Sequence, residues 1–542
     1  NSIALKAPLA SPTFTGTAEI PNLTTGGQQG TDGQLLTSTG SGIAWEDAPA
    51  GGPTFKTFGT DSIMIGDTTT GTINNANKNV GLGVNVFSSL TTGDNNVAVG
   101  YDALSSLQSQ GGNVAVGYQA GKSVVSGYEN TFVGLYAGLN AVHNEAIAIG
   151  SYSMYSNVGT TSGDIGIGMG AMQYKNANLG NTIAIGTYAH RGGNTTTGRS
   201  NIAIGPYAMQ AITTGTYNTA VGDSALNGIT TGTYNVAIGP SALYANTTAS
   251  YNTAIGRDSL SANTTGTNNV AIGYQALKTN TTGGGNTIVG RMAGFSNTTA
   301  SNNTAFGQAA LYFNTTGTQN VAVGNNALFW NSTANYNTAL GNTALQANTT
   351  GASNTAVGSD SLKANTTASN NTAVGREALK ANITGTNNVA IGYQAGLSLQ
   401  SQGDNVYLGY QAGKLNNTYQ STLIGSGAGQ NVVGNRATAV GYLAMQDNVG
   451  TTTGDIGIGF LTMQYKNTNG GGSVAIGEMA MRGVSNDKAT GKYNVAIGQY
   501  AMQYYTSAEN NVAIGKYTLN ATTTAANNVA IGHEALKANT TG

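Results

Sequence analysis

The sequence encodes an all-β chain, a parallel β-solenoid or β-roll built from repeats of ~17 residues. A short β-branched phrase closed by glycine, VAIG or a near variant, returns throughout. From Gly205 to Gly409 each such glycine lies 17 residues after the previous one. Outside that run the step is again 17 in places, with slips to 16, 18 or 19, and once to 21, between Gly477 and Gly498. Composition points the same way. Charged residues are only 8% against roughly a quarter in ordinary globular domains, and glycine reaches 80 of 542. Such a chain is a repeat array rather than a set of independent cores.

One unit, NNVAIGYQALKTNTTG from Asn268 to Gly283, shows why. A helix needs apolar residues three or four apart over ten or more positions. Here the longest apolar run is three residues, and glycine ends it. Val270, Ala271 and Ile272 alternate as a strand does. The expectation is that Val270 and Ile272 form the core column and Ala271 faces away. Gly273 permits positive φ or a close backbone approach. YQAL reads as a second short strand that supplies Leu277 to the core. NTTG is turn chemistry. Asn269 and its equivalents should stack into an amide ladder.

An outward column kept small suggests that another backbone approaches it. Ala271, Ala322, Ala356 and Ala390 are therefore expected to be contacts between chains. The alternative is a tight fit within one coil.

The repeats cover residues 61–542, and residues 1–60 differ in character. A longer duplication lies on top, with residues 100–222 returning at 392–515. GDIGIGMGAMQYKN and GDIGIGFLTMQYKN are one matched pair. Gly542 falls inside a repeat, so further sequence is expected after it.

Recurring NVAIG and NTAVG phrases resemble the head repeats of trimeric autotransporter adhesins. That resemblance implies a left-handed parallel β-roll with three chains side by side, although this unit is longer than usual. LKAPLASPTFTGTAEIP from Leu5 looks like a segment of bacteriophage tail fibres, and GTDGQLLTSTGSGIAWEDA from Gly30 is similar to another such phrase. They imply an extended, interwoven connector over residues 1–60.

Little in the chain suggests catalysis, and no catalytic, cofactor or metal residue is expected. His143, His190 and His533 lie far apart and read as surface turn residues. A catalytic or metal cluster needs converging donors. Asp164 and Asp455 stand where Asn is the rule, which suggests a turn or ladder role. Asn246, Asn263 and Asn280 satisfy a glycosylation pattern, which reads as repeated turn chemistry. Met172 and Met209 take the place of Leu277 as core fillers. The net charge of −1 offers no field for nucleic acid or an anionic membrane. No apolar run approaches the ~20 residues of a membrane span. With no cysteine, redox chemistry says nothing about the compartment.

Aromatic breaks in the pattern are the candidate contacts. Two consecutive units read ALYFN and ALFWN, which places Tyr312 and Phe313 one coil from Phe329 and Trp330. Such a cluster suits a glycan, or else a packed ladder. Tyr174, Lys175, Tyr465 and Lys466 follow as a second set, because they sit where turns are longest.

The expected function is that of a homotrimeric phage tail or virion fibre. It would join baseplate or tail proteins through its N-terminal part and bind a host surface glycan. A bacterial surface adhesin and a non-adhesive filament, including an ice-binding one, are the alternatives.

Overall fold

In the computed structural model the described residues are 61–541, apart from 67–74, 142–143, 159–161, 177–179, 194–195, 450–453, 467–470 and 485–488. Before residue 61 only the backbone of short strands is described. Gln34–Ser38 pairs there antiparallel with Ile43–Asp47. The expected connector otherwise lies outside the described residues, as does His143.

The described chain is a parallel β-solenoid of about 26 turns, with repeats of about 17 residues and no helix. It divides into two compact units, Asn1–Leu139 and Asn140–Gly542. In the first, Ile63–Gly66 pairs in parallel with Val80–Leu82, and the ladder continues to Thr131–Val133. In the second, one parallel ladder runs from Ile147–Ile149 to Val529–Ile531. Val270 lies level with Thr253 on one side and Thr287 on the other, a register of one repeat.

Most coils hold a single three-residue strand. The YQAL segment is not a second strand, because Gln275 (φ 57°) and Leu277 (φ 50°) are both left-handed. Bulky residues rarely adopt that conformation. From Gly83 onward each coil repeats the left-handed backbone at these two positions, and coil-to-coil hydrogen bonds such as Leu277 N–H to Ala293 O (3.0 Å) secure it. Leu277 itself is buried, as expected. Gly273 is obligatory: its φ is +133°, and a Cβ there would lie 2.5 Å from the carbonyl oxygen of Gly290 in the next coil.

The strand faces are reversed relative to expectation. Ala271 is fully buried inside its own coil, while Val270 and Ile272 are half-exposed. Ala322, Ala356 and Ala390 are likewise 0% exposed within the single chain. They present no atom to a neighbour, so they are not contacts between chains. The tight fit within one coil is the correct account. Seventeen residues enclose a narrow interior, and the Ala methyl is what fits opposite Leu277. Where a large residue enters the Ala column, the Leu column retreats to glycine. Phe132 sits against Gly121 and Gly138, and Tyr407 against Gly396 and Gly413.

Two asparagine ladders line the interior. Asn286 Nδ2 donates to Asn269 Oδ1 (3.0 Å), and Asn269 Nδ2 to Asn252 Oδ1 (3.2 Å). The second ladder contains the glycosylation-pattern residues. Asn263 donates to Asn246 (3.3 Å) and Asn280 to Asn263 (2.8 Å), all fully buried. These amides are sealed in the core, which fits turn chemistry and denies access to a modifying enzyme. The threonine after each of them closes the coil edge, as Thr281 does by donating to Thr298 O (3.0 Å).

Candidate functional site

The ALYFN and ALFWN units place their aromatic residues in two adjacent columns of the second unit. Phe313 and Trp330 stack with ring centroids 4.3 Å apart and planes 5° apart. Tyr312 and Phe329 stack at 5.2 Å, with an edge contact of Tyr312 to Phe313 at 4.6 Å. These spacings follow from the ~4.8 Å separation of parallel strands, which sets like residues face to face. Phe295 extends the inner column, stacked on Tyr312 at 5.1 Å. The sequence reading missed Phe295, although it stands 17 residues before Tyr312 in RMAGFSN. The block is thus a packed ladder, and Trp330 at its end is 48% exposed. Another ladder, Tyr217, Tyr234 and Tyr251, stacks at 5.0 and 5.3 Å. Its signal was the tyrosine that recurs two residues before each of three consecutive strands.

The second candidate set comes apart. Lys175 and Lys466 are buried, so they contact no receptor. Lys175 Nζ holds both oxygens of Asp164 at 2.8 Å and Thr182 Oγ1 at 3.2 Å. Lys466 Nζ holds Asp455 Oδ1 at 2.7 Å. Burial pulls both lysines below the usual range, opposed by the charge of their aspartates. The cause is local: the Asn ladder is broken here, by Ala146, Asp164 and Thr182 and again by Ala437, Asp455 and Ser473. A lysine from the widened turn reaches in to satisfy the aspartate that replaces Asn. Tyr174 and Tyr465 stay half-buried at the surface, each under an arginine. Arg191 lies 5.9 Å from the Tyr174 ring and Arg482 5.7 Å from that of Tyr465.

His190 is not a surface turn residue, since it replaces the core Leu or Met of its column and is fully buried. Burial, reinforced by the charge of Lys175, brings its pKa down to about 4. Asn201 Nδ2 lies 3.2 Å from its Nε2, so the neutral ring accepts there. His533 is exposed, and Met172 and Met209 are buried core fillers. Among the described residues, no three His, Asp or Glu side chains gather where they would hold a metal ion. No described helix is long and apolar enough to cross a membrane.

Set beside known proteins, the chain matches no family model, no curated protein and no solved structure.

Proposed function

We propose that this chain is a homotrimeric structural fibre of a phage tail or virion, lying outside the cell and attaching to a host bacterial surface. It acts mechanically, and no residue is assigned a catalytic role. Stacked coils hold their shape by backbone ladders and buried amides, and repeated copies raise avidity for a repetitive surface. The N-terminal phrases in residues 1–60 supply the phage assignment and the link to other tail proteins.

The observation that best supports self-association is an apolar stripe on the outer strand face. Its third strand position is never polar, and Ile238, Phe306, Leu340, Ile391 and Leu408 are each 39% to 46% exposed. Isolated chains rarely leave a contiguous apolar patch above a few hundred Å². The contact between chains therefore belongs to this Val/Ile face rather than to the buried Ala column. Light scattering on the 54.6 kDa chain should give three times that mass. A stable monomer would overturn the trimer. Failure of purified chain to adhere to any bacterial surface tested would overturn the attachment role.

A further inference from the structure

Trp330 ends its stack abruptly. One indole face lies against Phe313, while the position one repeat later in the same column is Ala347, followed by Ala364 and Ala381. Among the described residues only Phe313 stacks face to face on the indole, and Phe329 meets it at 85° with centroids 5.1 Å apart. One coil beyond Trp330, at Gln346 and Ala347, a groove of about 700 Å³ begins and runs along the coils, floored by those alanines and walled by Lys363, Lys380 and Glu377. Three coil steps of ~4.8 Å make it about 15 Å long, and its volume lies within the range of ligand sites.

The wall is polar but balanced. Lys363 Nζ lies 2.9 Å from Asp360 Oδ1, and Lys380 Nζ bridges Glu377 at 2.9 Å and Asp360 at 3.4 Å. Gln394 Nε2 donates to Glu377 at 2.7 Å. Ammonium protons and carboxylate oxygens thus alternate along one edge, with no net charge. Vicinal hydroxyls, which both donate and accept, match such an edge. An anionic ligand would meet two carboxylates and gain little from lysines already paired. One coil before the groove, the half-exposed indole of Trp330 suits the C–H face of a pyranose ring, whose slightly positive hydrogens meet the negative π face.

We propose that this groove, together with the half-exposed Trp330 one coil before it, binds a short segment of a neutral hexopyranose chain. The proposal rests on the attachment role given above and locates where that attachment occurs. Indole fluorescence reads it directly, with Trp45, the other tryptophan, replaced by Phe. The full chain is titrated with a panel of neutral hexopyranose oligosaccharides, maltohexaose and cellohexaose among them, and with oligogalacturonate of equal length. At least one neutral oligosaccharide should shift Trp330 emission saturably, and oligogalacturonate should bind at least 10-fold more weakly. By calorimetry, Trp330→Ala should weaken binding at least 10-fold. Ala364→Trp, which fills the groove in a column that already carries Phe313 and Trp330, should do the same with the fold intact. No neutral binder, equal binding of the acidic chain, or unchanged binding by Ala364→Trp would each overturn it. If the groove binds none of these chains while the unaltered protein is trimeric and adheres to bacteria, the groove proposal alone fails and the fibre reading stands. A monomeric, non-adherent chain that still binds the oligosaccharide would sink the fibre reading instead.

Discussion

Tyr407 and Gly413 share one volume: a Cβ at position 413 would lie 2.8 Å from Cδ1 of the Tyr407 ring. The corresponding position is Leu277 in the unit described above, already left-handed at φ 50°. Gly413 has φ +58°, so leucine is excluded there by space rather than by backbone. Gly413→Leu alone should destabilise by about 1–3 kcal/mol through overpacking. Tyr407→Ala alone should cost about 3–5 kcal/mol through the cavity. Combined, the two restore the common Ala/Leu pair, and a coupling of at least ~1 kcal/mol is expected. Hydrogen exchange in the coils around 407 measures it locally, which suits a repeat array. Strict additivity would refute the shared volume.

Asn382 ends its amide ladder because the next coil carries Leu399 in place of asparagine, and Asn416 stands one coil further on. Asn382 Oδ1 and both side-chain polar atoms of Asn416 are buried without partners. Leu399→Asn should join the two broken ends. Polar substitutions of buried leucine normally cost more than truncation. Here Leu399→Asn should be more stable than Leu399→Ala by roughly 1–3 kcal/mol, the cost of leaving such groups unsatisfied. Thermal unfolding of the two variants decides, and the reverse order would sink the ladder argument.

Acid should loosen the coil at His190. Its folded pKa of about 4 lies below the ordinary 6.5, so folding favours the neutral ring. Stability from this group is complete above pH 6.5 and is lost as pH falls from 6.5 towards 4. Lys175 opposes protonation and Asp164 favours it, and both belong to the same buried cluster. The duplicated block supplies an internal control, with Met481 at the matching position. Exchange protection near 190 should fall between pH 6.5 and 4.5 while that near 481 stays flat. His190→Met should remove the difference. An identical acid response in both copies would exclude His190 as its source.

Ala271 and Ile238 separate folding from assembly. Ala271→Leu should destabilise its own coil by about 1–3 kcal/mol, since the residue is enclosed. Ile238→Lys, at a position 40% exposed, should leave coil stability nearly intact and weaken self-association. Circular dichroism and sedimentation velocity read the two effects. Unchanged sedimentation of Ile238→Lys would remove this position from the chain contact.

The ladder of Asn269, the obligatory Gly273 and the buried Leu277 were all legible from one repeat. Each depends on local chemistry: an amide that stacks, a backbone that needs positive φ, a single large apolar residue per turn. Lys175 and Lys466 were misread because a lysine in a wide turn ordinarily points to water. Nothing nearby in sequence shows that its partner, Asp164 or Asp455, stands 11 residues earlier inside the coil. The aromatic columns were visible at Tyr312 and Phe329. The groove beyond Trp330 was not, because it is made by three alanines one repeat apart.

The repeat step, the glycine bends and the parallel coil were determined by the sequence alone, because identical phrases at a constant interval bury their apolar residues only by stacking. Period-two alternation separates Ala271 from Val270 and Ile272, but it does not say which side is inside. The tertiary structure decided that, through the width of a 17-residue coil. Leu277, turned inward by its left-handed backbone, leaves room opposite for a methyl group, and the β-branched side chains are pushed to the outer face.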